Sequence, residues 1–130
     1  MTLTPPRSMA WDASIAIEAL AAAGSALWVW TPARDDLRLT GATRDLGLSS
    51  LAPDCSGAAL VASALPQDRA MAQNLLTPQP EGTEIVVRMR MRDAESCLWR
   101  GVWLEDGLRA AGIVTLEATL ATVDRDTLTG

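Results

Sequence analysis

The chain has 130 residues, 48% of them hydrophobic and 21% charged, which fits one globular domain and excludes an intrinsically disordered protein. Its net charge of −5 at pH 7 argues against a nucleic-acid backbone or an anionic membrane surface as a partner. No apolar run approaches the ~20 residues of a membrane span, and residues 1–7 lack the apolar core of a signal peptide. We therefore predict a cytoplasmic protein.

The residue types that are missing limit the chemistry of the chain. There is no His, so the commonest general base and the commonest haem or zinc ligand are absent. Cys55 and Cys97 form no C-x-x-C pair, and we interpret both as small hydrophobic residues. The carboxylate pairs Asp35–Asp36 and Glu105–Asp106 lie in predicted turns, without convergent metal-binding partners. We therefore predict no catalytic residue and no metal site.

A helix is predicted from Asp12 to about Ala23. Asp12 is a good N-cap acceptor, Ile15 and Leu20 recur at helical spacing, and Gly24 stands where a helix stop is expected. Because the helix is rich in Ala, its apolar stripe is shallow and suits close packing against a sheet or another helix.

A β-hairpin is predicted next. Two short alternating runs, Ala26–Thr31 and Asp36–Thr40, are joined by a Pro/Asp turn. Trp28 and Trp30 share one face of the first strand because side chains alternate along a strand.

The middle third of the chain predicts helices and no strand. Two helical stretches span roughly Ser56–Leu65 and Gln67–Leu76, and Pro66 stands as a first-turn proline. Three long strands follow, at about Thr83–Arg92, Cys97–Leu104 and Leu108–Leu116. The order predicts an α+β domain with a five-stranded antiparallel sheet, short helices on one face and an N-terminal capping helix.

Five local motifs occur in the order found in PAS domains. They are Leu27-Trp-Val-Trp-Thr31, Leu46-Gly47-Leu48, Leu65-Pro-Gln-Asp-Arg69, Leu98-Trp-Arg-Gly101 and Gly112-Ile-Val114. Together with the element order, they make residues 25–118 resemble a PAS-fold sensor domain. Residues 1–24 would then be a tail and the capping helix.

The C-terminal residues Asp126-x-Leu128-Thr129-Gly130 resemble the D-x-L-T-G turn that opens bacterial GGDEF domains. Residues 119–130 are therefore interpreted as a linker and the truncated start of such a domain. This resemblance implies the N-terminal regulatory module of a GGDEF or GGDEF–EAL protein of cyclic-di-GMP signalling. The full-length protein would then be a phosphodiesterase or a diguanylate cyclase.

The resemblance also bears on cofactors. The chain lacks the G-R-N-C-R-F-type motif of light-sensing flavin members and the His of haem-binding members, so flavin, haem and zinc are disfavoured. An unknown organic ligand held by apolar contacts is compatible with the sequence. The candidate pocket residues are Trp28, Trp30, Met71, Met89, Met91 and Cys97, for which ordinary core packing is the alternative.

The predicted hairpin of the fourth and fifth strands gives a candidate interface. A four-residue turn at 93–96 would place Val87 opposite Val102, and Trp99 and Trp103 on the outer face beside several Arg side chains. Exposed Trp and Arg are typical of interface hot spots. The candidate interface residues are Ile15, Leu20, Arg88, Arg90, Trp99 and Trp103. The alternative is that the N-terminal helix buries both Trp side chains.

Three functions are compatible with these features. The first is a homodimeric PAS domain that controls a downstream cyclic-di-GMP output. The second is a docking module that recruits a protein partner such as a response regulator or a degradation adaptor. The third is a small-molecule sensor.

Overall fold

Six strands form one antiparallel sheet in the computed structural model, which describes residues 13–92 and 96–116. The strands are β1 Ala26–Thr31, β2 Asp36–Gly41, β3 Asp54–Cys55, β4 Glu84–Arg90, β5 Ser96–Leu104 and β6 Arg109–Leu116. Their order across the sheet is β3-β2-β1-β6-β5-β4, so β3 and β4 are the edge strands. The helices of the described ranges are α1 Ala13–Ala22, α2 Gly57–Ser63 and α3 Arg69–Leu76.

The predicted α+β architecture is confirmed, but the predicted number of five strands is wrong. The additional strand is β3, which pairs with Leu37 and Arg38 of β2. It has two residues, too few for an alternating pattern to mark it in the sequence. Asp12 and the D-x-L-T-G segment lie outside the described residues.

The β1–β2 hairpin matches the prediction. Trp28 lies opposite Leu39 and Trp30 opposite Leu37, and all four side chains are buried. Pro32–Arg34 form a 3-10 turn, which ends at Asp35 in the left-handed region with φ 50°. Asp residues tolerate this conformation, which lets the chain reverse direction.

The middle helices follow local capping signals. The Ser56 side chain accepts a hydrogen bond from the Ala59 backbone N–H at the start of α2. The predicted second helix begins as a 3-10 turn at Pro66–Asp68 and continues as α3. Leu60 and Leu75 bury the two helices against the sheet.

Strand β4 shows the predicted alternation. Ile85, Val87 and Met89 are buried on the inner face, whereas Glu84, Val86 and Arg88 are exposed on the outer face. This is the pattern of a strand with one side against the core and one side toward solvent.

The predicted register of β4 and β5 is wrong. Val87 lies opposite Trp99 rather than Val102, a shift of three residues. Met91 forms a bridge with Ala64, and Ser96 already pairs with Arg90, so the connection is longer than the predicted turn at 93–96. A shift by an odd number of residues moves every side chain of a strand to the opposite face.

The core lies between the inner sheet face and the middle helices. Trp28 and Trp99 pack with ring centroids 5.9 Å apart and planes tilted by 56°. Gly101 makes room for this pair, since a Cβ there would lie 2.8 Å from the Trp28 ring and 2.2 Å from the Ala111 carbonyl oxygen. The largest fully buried side chains are Trp28, Trp99, Trp103, Leu37, Leu39, Leu46, Leu48, Leu60, Leu75, Met89, Val114 and Cys97.

Candidate interaction surface

The outer face of the sheet carries an open apolar groove of about 670 Å³ over β4, β5 and β6. Val86 on the edge strand β4 is 64% exposed and Ile113 on the interior strand β6 is 39% exposed, although both side chains are apolar. Leu20 of α1 forms part of the wall. Exposed apolar side chains grouped in one groove make this face a candidate interaction surface. The groove is lined by Leu20, Ser25, Glu84, Ile85, Val86, Arg100, Gly101, Val102, Ala111, Gly112, Ile113 and Thr115.

One cation lies in the middle of this groove. Arg100 is exposed and pairs with Val86 of β4 on one side and with Ile113 of β6 on the other. Within residues 13–92 and 96–116, neither Arg100 nor Glu84 makes an ion pair. An Arg surrounded by exposed apolar side chains has the composition of a protein-interaction hot spot.

The predicted interface residues divide into two groups. Arg88 and Arg90 are exposed on the outer face, Ile15 is 54% exposed, and Leu20 lines the groove. Trp99 and Trp103 are 0% and 1% exposed, so their predicted exposure is wrong. Trp103 lines a small cleft with Asn74 and Leu75, on the side of the sheet that α3 covers.

Arg90 is held by Asp68 at the end of the 3-10 turn that precedes α3. The Asp68 carboxylate accepts hydrogen bonds from the Arg90 backbone N–H at 2.8 Å and from its Nε at 3.0 Å. The side-chain hydrogen bond from Arg90, followed by the backbone one, lowers the pKa of Asp68. Arg90 therefore joins the middle helices to β4, which is a structural role.

The predicted pocket residues pack together in the core, with one exception. Trp28, Trp30, Met89, Met91 and Cys97 belong to one buried cluster between the sheet and the helices. The exception is Met71, whose side chain is 48% exposed, so its predicted place in a pocket is wrong.

The indole N–H groups of the core differ in their partners. The Trp30 Nε1–H donates to the Leu76 carbonyl at 3.0 Å, which ties β1 to the end of α3. The buried Nε1–H groups of Trp28 and Trp99 have no acceptor among the described residues.

Neither cysteine has the surroundings of a reactive thiol. Cys97 is buried and its Sγ lies 3.7 Å from the Leu46 carbonyl oxygen. Burial, followed by the nearby carboxylates of Asp54, Asp36 and Asp35, raises the pKa of the half-buried Cys55 thiol to about 11. Among the described residues, no cluster of Cys, Asp and Glu could hold a metal ion. The same residues contain no helix long and apolar enough to cross a membrane.

The family of the chain follows from its match over residues 12–117 to the model of the PdeA-like PAS domain. The chain belongs to this family. A similar solved structure comes from work on the adaptor-dependent degradation of a cell-cycle regulator. It is 59% identical, has a TM-score of 0.77, and aligns over 83% of this chain and 96% of that chain. No curated protein matches the chain.

Membership of the family confirms the PAS fold that the W-x-W strand and the later motifs predicted. A PAS domain is a regulatory or sensor module and is typically non-catalytic. A regulatory or sensor role of this PdeA-like PAS domain would depend on its surfaces and its core.

Proposed function

We propose that this PdeA-like PAS domain is a homodimeric regulatory module whose outer sheet face docks a partner protein. The observation that carries the docking role is the open groove around Arg100. The exposed apolar side chains of the groove would become buried when a partner binds. The Arg100 guanidinium would orient the partner and make binding specific.

The partner that we propose is a degradation adaptor. The supporting observation is the 59% identical structure, which comes from work on adaptor-dependent degradation of a cell-cycle regulator. An adaptor that docks on the outer face would leave the core and the middle helices in place. The partner surface should be apolar, with a carboxylate positioned for Arg100.

We further propose that the module controls a cyclic-di-GMP output that follows it in a longer chain. The D-x-L-T-G motif at 126–130 and the PdeA-like family support this role. The last strand, β6, lies between β1 and β5, so the sequence leading to the output leaves from the middle of the sheet. A short connection from a central strand would transmit a change in domain placement better than a long flexible linker.

Small-molecule sensing is the second candidate function. The observation that favours it is the pair of buried indole N–H groups, on Trp28 and Trp99, that have no acceptor among the described residues. A carbonyl or carboxylate of a small ligand would satisfy them, since an unpaired buried donor costs about 1–3 kcal/mol.

Replacement of the groove cation tests the docking role. We expect Arg100→Glu to prolong the half-life of the protein in its native cells and to weaken binding of the purified adaptor. Arg44→Glu makes the same charge change at another exposed position and should leave both unchanged. If Arg100→Glu is folded by circular dichroism but degraded and bound like the wild type, the outer groove is not the docking site.

A further inference from the structure

Two open clefts flank α2 on the helical side of the sheet. The first cleft, of about 390 Å³, lies between α2 and α3 and is lined by Ala58, Val61, Ala62, Arg69 and Gln73. The second, of about 210 Å³, lies between the end of α2, the segment before β3 and the residues that follow β4. Ala62 lines both clefts, so α2 forms the ridge that separates them.

The exposed ridge of α2 consists of small side chains. Ala58 and Ala62 are both exposed, and residues four apart lie on the same face of a helix. Leu60 is fully buried, which fixes the opposite face of α2 against the core. Because each ridge position carries only a methyl group, the backbone of another helix can approach α2 closely.

Each cleft contains one arginine. Arg69 is partly buried, and its Nε has no acceptor among the described residues. The adjacent carboxylate, Asp68, is already bound by Arg90. Arg92 is exposed, and its backbone N–H donates to the Ser63 carbonyl at 2.8 Å, which fixes it beside the end of α2. Over residues 13–92 and 96–116, neither the Arg69 nor the Arg92 guanidinium forms an ion pair.

The charge of the two clefts is opposite to that of the chain. The chain has 16 acidic and 11 basic residues and a net charge of −5. The described residues that line the two clefts nevertheless include two arginines and no Asp or Glu. A local cationic surface on an acidic protein attracts an acidic partner and repels most of the protein's own surface.

We propose that α2 docks an acidic helix of a partner protein. The partner helix packs on the ridge of Ala58 and Ala62 and places one carboxylate at Arg69 and another at Arg92. A guanidinium binds a carboxylate through two parallel N–H donors, which adds geometric specificity to the charge attraction. The partner helix should therefore carry Glu or Asp on both flanks of an apolar stripe.

This docking surface goes beyond the proposed function, because it lies on the opposite side of the sheet from the outer groove. Helix α2 packs over the inner face through Leu60, whereas Arg100 lies on the outer face. The two surfaces face away from each other, so a partner on one leaves the other open.

A pair of synthetic peptides tests the proposal on the unmodified protein. Each peptide is a helix of about 14 residues, four turns long, with Ala along one face. One carries Glu on both flanks of that face, and the other carries Gln at the same positions. We expect the Glu peptide to shift the amide NMR resonances of Ala58, Ala62 and Arg69, and the Gln peptide to bind about fivefold more weakly or worse.

Charge reversal tests the two clefts separately. Arg69→Glu and Arg92→Glu should each weaken binding of the Glu peptide about fivefold or more. The loss should be larger for Arg69→Glu, because water screens its partly buried guanidinium less. Arg109→Glu makes the same charge change at an exposed position at the start of β6 and should bind like the wild type. Circular dichroism shows whether each variant is folded.

Several results would overturn the proposal. They are equal binding of the Glu and Gln peptides, amide shifts confined to β5 and β6, wild-type affinity in both cleft variants, or no shift at about millimolar peptide. None of them bears on adaptor docking at the outer groove, which Arg100→Glu tests. The failure of one surface is therefore distinguishable from the failure of the other.

Discussion

At the scale of single residues, two glycines are required for different reasons. At Gly101 the φ is unexceptional, but a Cβ would overlap the Ala111 carbonyl and the Trp28 ring. At Gly82 the surrounding space is open, but φ is +88°. We expect Gly101→Ala to cost about 3 kcal/mol of unfolding free energy or more, by overpacking against backbone that cannot move aside. Gly82→Ala should cost about 1 kcal/mol, from left-handed strain alone.

Urea denaturation of the two glycine variants checks this difference. Equal losses of stability for the two substitutions would show that β5 and β6 can separate to admit a methyl group at Gly101.

The Cys55 thiol gives a prediction about reactivity. With its pKa raised from 9.0 to about 11, the reactive thiolate at pH 8 is about 100-fold scarcer than for an unperturbed thiol. We expect iodoacetamide to label Cys55 of the native protein about 100-fold more slowly than a model thiol. Mass spectrometry follows the reaction, and Cys55→Ser reports the labelling of Cys97. Labelling of native Cys55 at the rate of a free thiol would contradict the raised pKa.

At the scale of elements, the Asp68–Arg90 contact joins the start of α3 to the edge strand. Because the folded-state pKa of Asp68 is lowered, its stabilising effect is present above the ordinary carboxyl pKa. It is lost as the pH falls through the lowered value. We expect Asp68→Asn to lower the melting temperature at pH 7 and the difference from the wild type to shrink below about pH 4.

Asp45→Asn is the matched control for Asp68→Asn, because Asp45 is exposed in a turn. It should leave the melting temperature unchanged across the same pH range. A loss of stability for Asp68→Asn that is constant from pH 7 to pH 3 would contradict an ion-pair role for the carboxylate.

The elements also show how much of the fold the sequence could predict. Strand β4 was predictable because Ile85, Val87 and Met89 recur at every second residue while Arg88 and Arg90 occupy the alternate positions. Strand β5 was also predicted, within one residue of its bounds, but its buried face was not. Leu98 and Val102 on its outer face are as apolar as Cys97 on its inner face, so alternation does not identify the buried side. The predicted register then depended only on the length of the connection between β4 and β5. Met91 pairs with Ala64 instead of with β5, so this connection is longer than the predicted turn.

The same argument applies to the candidate site. The outer face was predicted to be the interface from Trp99 and Trp103, which are buried, whereas its central residue is Arg100. One signal in the sequence could have corrected the register. Gly101 lies between the two Trp residues, and a glycine with large residues two positions away on either side is typical of a close approach inside a packed face.

At the scale of the whole molecule, native mass spectrometry separates the two candidate functions. Apart from the exposed Met71, the predicted pocket side chains fill one buried cluster, so we expect the mass of two bare chains from protein purified without denaturation. Extra mass of a few hundred daltons per chain, lost on denaturation, would contradict this and favour ligand sensing. Trp28→Phe is the variant to examine in that case, because it removes one of the two indole donors.

The sheet order has a mechanical consequence. The sequence enters the sheet through β1 and leaves it through β6, and these strands are neighbours in the middle, with Ala26 opposite Val114. Each is bonded along both sides, so a molecular motor that pulls on either end of the domain finds no edge strand to peel away first. Neither strand can leave the sheet until the main-chain hydrogen bonds on both of its sides have broken.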